Sequence, residues 1–188
     1  MPTAFATPDE LALYTGTTVG AERAQFFLDL ASDAIRAAAG QRLDLVTDDE
    51  VTFPGRWGRE FVLPERPVVD VTAVAIDGAE LAATAWEFDG RDTLRLVDAA
   101  AAFDTDGHGG HFGGSCPVTI TYSHGWADIP PALRAVCLAV AARALATPDG
   151  VVQESVGGYS VAYSRVAGVA LTPAELDVVA AYRPDPNR

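Results

Sequence analysis

The side chains best suited to chemistry fall in one short stretch. His108, His111, Cys116 and His124 offer imidazole and thiolate, the ligand types that suit zinc. Their spacing does not suit it. His108 and His111 are separated by two glycines inside a glycine-rich segment, and no CxxC or HxxxH pair fixes the ligand geometry. Metal binding is therefore not expected, nor is any cofactor. Asp104 and Asp106 before Gly107 look like the start of a calcium loop, but Ser115 stands where the closing glutamate belongs.

Nucleophile patterns are missing as well. There is no GxSxG elbow, no HExxH, and no phosphate-binding GxxxxGK, because the chain has no lysine. Ser123 and His124 are adjacent in sequence, which does not aim the hydroxyl at the ring. The glycines of Gly107 to Gly114 lack the strand-to-helix setting of a dinucleotide fingerprint. Asp48 and Asp49 read as a solvated polar turn, whereas acid–base work needs a closed pocket and a shifted pKa. No catalytic residue is expected, and the protein reads as a non-enzyme.

The elements that would position any site come in a clear order. Thr7-Pro8-Asp9-Glu10 is a capping box with proline at the first helical position, and Gly16 ends that helix. A second helix spans about 21–39 and closes at Gly40. Its Ala24, Phe27, Leu28, Ala31, Ile35 and Ala38 form one apolar stripe, while Phe26 falls on the polar side. From Val51 to His124 the pattern turns to short β segments at 60–63, 69–76, 86–88, 93–97 and 118–122, divided by turn residues. The 69–76 strand carries apolar residues at both parities, so it is expected to be covered on both faces. Residues 98–116 read as a long glycine-rich loop. Pro130-Pro131 then opens a helix to about Ala146 that is apolar almost all round and therefore central. A hairpin over about 151–165 turns at Gly157-Gly158, and Leu171-Thr172-Pro173-Ala174-Glu175 starts a last helix to about Arg183.

The fold class is thus α+β: a small bundle of about four helices with an inserted antiparallel β portion and a late β-hairpin. One domain spans 1–188, with a helical core at about 7–40 and 130–183 and a β insertion at about 50–125.

Composition narrows the function classes. The formal charge is −13 and every basic side chain is arginine, which argues against binding nucleic acid by neutralising phosphates. A hydrophobic fraction of 49% supports a real core. No apolar run reaches the roughly 18 residues of a membrane span, and the first residues lack the features of a secretion signal. A cytosol-like compartment is expected. Cys116 and Cys137 read as ordinary thiols, with Cys137 buried on a helix.

Several segments carry a family resemblance. They are Val118–Gly125 (VTITYSHG), Ile129–Arg143 (IPPALRAVCLAVAAR), Thr147–Val151 (TPDGV) and Glu154–Tyr163 (ESVGGYSVAY). The Asp9-Glu10-Leu11 to Gly40 helices, Leu63–Thr72 (LPERPVVDVT) and the closing Leu171–Glu175 segment fit the same order. Together they resemble the head–tail connector, or head-to-tail adaptor, proteins of long-tailed bacteriophages, over nearly the whole chain. The resemblance implies a ring, commonly twelvefold, under the portal protein of the DNA-filled head. Such a ring extends the DNA channel, helps retain packaged DNA without sequence-specific binding, and docks the next neck protein (stopper or tail completion protein). It also implies a place in the virion neck after assembly in the host cytoplasm, with no membrane and no catalysis.

Interface residues are expected at Phe26 and on the hairpin at Gly157, Gly158, Tyr159, Val161 and Tyr163. Tyr159, Val161 and Tyr163 share one strand face, and tyrosine is favoured in interfaces. Two alternatives stand beside this reading. One is a small-ligand or metal-binding module, or a hydrolase, using the histidine-rich loop. The other is a different neck protein, a stopper or tail terminator, which would be mostly β.

Overall fold

The computed structural model describes residues 4–54, 60–97, 117–146, 153–156, 159–162 and 169–184, with the backbone alone for 153–156 and 159–162. The chain divides into two compact units, one of Met1–Gln41 with Asp128–Arg183 and one of Arg42–Ala127 with Pro184–Arg188. The first holds the α-helices and a two-stranded hairpin and the second is built of sheet, so the α+β expectation holds.

The helical unit contains α1 (Pro8–Thr15), α2 (Ala21–Ala39), α3 (Pro131–Ala146) and α4 (Pro173–Ala180). Both expected capping boxes form. The Thr7 amide donates to Glu10 Oε2 at 2.8 Å and the Glu10 amide to Thr7 Oγ1 at 3.2 Å. Gly16 and Gly40 take left-handed φ of 65° and 69°, which ends α1 and α2 at little steric cost. In α2 the buried face is Ala24, Leu28, Ala31, Ser32, Ile35 and Ala39, with the expected helical spacing. α3 packs against α1, α2 and α4. Its Leu133, Val136, Cys137, Val140, Ala141 and Ala144 are buried, while Leu138, Ala139 and Ala142 are half-buried.

Glu175 has two jobs. Its carboxylate accepts from the Thr172 amide at 2.7 Å, capping α4, and also takes a two-pronged bond from Arg143 of α3 at 3.0 and 3.1 Å. The other end of α4 is held through Arg183 Nε, which donates to the Ala38 carbonyl of α2 at 2.8 Å, and through the Gln41 side chain, which donates to the Tyr182 carbonyl. The final helix stops at Ala180 and gives way to a turn, three residues short of the expected Arg183. The N-terminal segment is anchored too: the Phe5 amide donates to Ser32 Oγ at 2.9 Å, and the Arg36 guanidinium lies 4.5 Å from the centre of the Phe5 ring. The hairpin pairs β8 (Gln153–Val156) with β9 (Tyr159–Ala162), in the expected place.

Among the described residues the β unit holds two antiparallel sheets. One has the order β1 (Val46–Phe53), β7 (Val118–His124), β3 (Val68–Ile76), β4 (Ala79–Glu80); the other runs β2 (Glu60–Val62), β6 (Thr93–Leu96), β5 (Trp86–Phe88). Phe61, Leu63, Leu94 and Leu96 of the smaller sheet and its flank share one buried core with Val71, Val74, Ile76, Val118, Ile120 and Tyr122 of the larger. Strand β7 alternates cleanly: Val118, Ile120, Tyr122 and His124 are buried, and Thr119, Thr121 and Ser123 are half-exposed.

Two expectations are corrected. Strand β3 is not covered on both faces, since Val69 is 59% exposed and Asp70 and Thr72 are also open. A register shift between Val71 and Ala73 moves the inward set from odd to even positions, and this produced apolar residues at both parities. Asp48 and Asp49 are not in a turn either. They lie inside β1, which starts five residues before the expected Val51, at an irregularity where Asp48 takes a φ of 52°. The shift turns Asp49 toward His124, a partner 75 residues away.

Two outcomes test this account. Gly125 has a φ of 88°, and an added Cβ would lie 2.4 Å from the Asp44 carbonyl oxygen. Gly125→Ala is expected to cost about 2 kcal/mol or more, read as a lower urea midpoint at unchanged slope. For Glu175, burial alone would raise the carboxyl pKa, but bonds from Arg143 and Thr172 hold it below the ordinary 4.5. A lowered folded-state pKa gives stability that is present above the unfolded value and lost on acidification. Glu175→Gln should therefore lower the melting temperature at neutral pH and flatten its decline below about pH 4.5.

Candidate functional site

Of the suspected ligand cluster, His108, His111 and Cys116 lie outside the described residues. His124 is fully buried on β7, flanked by Val46 of β1 and Val68 of β3. Its Nε2 sits 3.0 Å from Asp49 Oδ2 and its ring lies 5.0 Å from that of Tyr122. With the proton on Nε2, the ring donates to Asp49 and leaves the buried Nδ1 without a hydrogen-bond partner among the described residues. Among the described residues no group of three or more His, Cys, Asp or Glu side chains is arranged to hold a metal ion. What His124 does here is tie the edge strand to the centre of the sheet.

Tyr122 shows the same inward character. Burial pushes its phenol up to about 12, against a bond from the Glu65 backbone and with the negative charges of Glu65 and Asp49 adding to the rise. A phenol so placed keeps its proton at neutral pH. Ser123 does not bond to the His124 ring; its hydroxyl accepts from the Asp48 amide at 3.3 Å. These side chains are assembled to hold a sheet together.

The surface is more informative. Phe26 is 58% exposed on α2, edge-on to Phe27 with ring centres 5.4 Å apart. Leu30, one turn further along α2, is also open. On α1, Leu13 is 86% exposed and Tyr14 is open beside it. Burying a leucine or phenylalanine side chain is worth roughly 1.5–3 kcal/mol, so Leu13 forgoes most of that gain, Tyr14 and Phe26 about half, and Leu30 about a third. The sequence pattern singles out Phe26 and leaves Leu13 and Tyr14 unmarked. The available signal was the short helix itself: with Leu11 on the buried side, Leu13 falls about 200° away.

The hairpin is described by its backbone. Glu154 pairs with Val161 and Val156 with Tyr159, so Tyr159 and Val161 stand at alternate positions of β9. Gly157, Gly158 and Tyr163 lie outside the described residues.

Charge is uneven. Edge strand β1 carries Asp48, Asp49 and Glu50, a run of acids that discourages sheet-edge pairing with another chain. Among the described residues no helix is long and apolar enough to cross a membrane.

No protein-family model and no curated protein matches the sequence. Solved structures do match the fold. A chain in the neck of an empty gene transfer agent (GTA) particle, computed with C6 symmetry, is 18% identical with a TM-score of 0.56, covering 95% of this chain and 88% of that one. A chain of the virion of a native gene transfer agent particle is 20% identical with a TM-score of 0.54, over 95% and 92% of the two chains. A third, from the neck of a native particle computed with C12 symmetry, is 19% identical at a TM-score of 0.53, over 95% and 91%. The class this defines is an α+β fold shared, over 95% of this chain, with chains of gene transfer agent particles.

Two measurements separate buried holding residues from exposed surface ones. His124→Ala is expected to cost the β unit about 2–3 kcal/mol, from a lost bond and a partly filled cavity, read by chemical denaturation. Leu13→Ser with Phe26→Ser should shift stability by no more than about 0.5 kcal/mol per site, as surface changes do.

Proposed function

We propose that this chain is a structural subunit of a virion neck, a head-to-tail adaptor that assembles as a ring beneath the portal protein. The observation that carries this reading is the fold match over 95% of the chain to chains from particle necks and a virion. Two of those structures were computed with C6 or C12 symmetry, which supports a ring, commonly twelvefold, for this chain too. The connector resemblance of the sequence supports the finer role: extending the DNA channel, helping retain packaged DNA and docking the stopper or tail completion protein. On this reading the two units serve as one connector domain, assembled in the host cytoplasm.

A non-enzymatic role is supported by the same fold match to neck and virion chains. The four helices weigh against a stopper or tail terminator, for which a mostly β chain is expected. The net charge of −13, repeated around a ring, suits a channel wall that DNA slides past without sticking. Phe26 and the hairpin residues Gly157, Gly158, Tyr159, Val161 and Tyr163 are the proposed subunit or portal contacts.

The decisive experiment is co-sedimentation of the purified protein with its cognate portal ring, and with DNA-filled tailless heads, followed by electron microscopy. Saturable binding as an axial ring is expected. Failure of a well-folded protein to bind either would overturn the adaptor reading. Tyr159→Ala with Tyr163→Ala should weaken ring or portal binding while leaving the fold intact; unchanged binding would remove the hairpin from the interface.

A further inference from the structure

Resting on the adaptor reading, we infer that the α1–α2 corner, with Leu13, Tyr14, Phe26 and Leu30, docks a basic-rimmed apolar surface of a different protein, not a second copy of this chain. Leu13, Tyr14 and Phe26 are each more than half exposed there and Leu30 is about a third exposed, on two helices that touch and are joined by the short segment 16–20. All belong to the helical unit. Single exposed apolar residues are ordinary, but an exposed leucine and tyrosine on α1 with an exposed phenylalanine and a part-exposed leucine on the helix packed against it are four on one helix pair.

Charge identifies the occupant. Within one helical turn of these residues stand Asp9, Glu10, Glu22, Asp29 and Asp33, against Arg23 alone. Two of the acids are already engaged: Glu10 by Arg134 at 3.4 Å, and Asp33 by Arg36 at 2.9 Å. Asp9, Glu22 and Asp29 form no ion pair among the described residues, and Asp29 takes a neutral donor, from Gln25 at 2.9 Å. The rim therefore keeps a negative excess around an apolar centre. A second copy brings a net charge of −13 toward it, while a surface edged with arginine or lysine gains at every contact. Within the neck, the partner on the head side, the portal ring, is the candidate to test.

The experiment measures binding of the purified protein to its cognate portal ring, and self-association alone, for wild type and two variants. Leu13→Ser with Phe26→Ser removes the apolar centre, and Glu22→Arg with Asp29→Arg reverses the rim; melting temperatures confirm folding of both. The expected result is about ten-fold weaker portal binding for each variant, with unchanged self-association. Wild-type binding should also weaken from about 50 to about 500 mM salt, more steeply than binding of the charge-reversed variant. Full portal binding by both variants would overturn the docking site and leave the adaptor reading standing. Self-association lost on removing the apolar centre, or strengthened by reversing the rim, would assign the corner to contacts between copies. Absence of wild-type binding to portal would overturn the adaptor reading and this inference with it.

Discussion

Strand β7 is the constraint on which the β unit depends. It is hydrogen-bonded along both edges, to β1 on one side and β3 on the other, and it supplies Val118, Ile120 and Tyr122 to the shared core. A one-residue slip would turn these outward and bring Thr119 and Thr121 in, so the register cannot drift. The end of the strand is locked a second time. The Gly125 amide donates to the Pro67 carbonyl at 2.9 Å, and the Trp126 amide donates to that of Leu43, also at 2.9 Å. Only glycine fits between these segments, because the Asp44 carbonyl occupies the space a Cβ would need. His124, just before it, reaches sideways to Asp49. Backbone and side chain together fix how the first strand meets the centre.

The helical unit meets a different demand. α3 is too apolar to stand alone, so α1, α2 and α4 must be brought to it from distant parts of the sequence. Packing supplies most of the energy and a few polar bonds supply the placement. Glu175 caps its own helix while gripping Arg143, so the start of α4 and its docking on α3 are set by one carboxylate. Ser32 donates to the Leu28 carbonyl at 2.7 Å and accepts from the Phe5 amide, which seats the N-terminal segment against α2. Each of these polar groups satisfies a backbone orphan that would otherwise be costly to bury.

Much of this was legible in the sequence, and the residues show why. Both capping boxes, the two helix-ending glycines and the hairpin position are local events, written within a few residues of one another. The stripe of α2 was equally plain. What escaped depended on distant partners. Asp48 and Asp49 read as a turn because their own neighbours are polar, whereas Ser123 and His124 hold them in a strand. The inward set of β3 was hidden by its bulge, which periodicity alone cannot register. The candidate surface was only half visible: Phe26 broke the pattern of a long helix, but Leu13 and Tyr14 sit on a helix too short to define its own faces.

The thiol of Cys137 has a consequence of its own. It is fully buried on α3, 3.5 Å from Ser32 Oγ and 3.8 Å from the Leu28 carbonyl, and burial pushes its pKa up. A thiol-modifying reagent needs both access and thiolate, and the closed helical unit denies it the two together. Modification at this position therefore waits on the separation of α2 from α3, and its rate counts those openings. The protein carries a built-in stopwatch for the breathing of its helical unit, readable without adding a probe to the sequence.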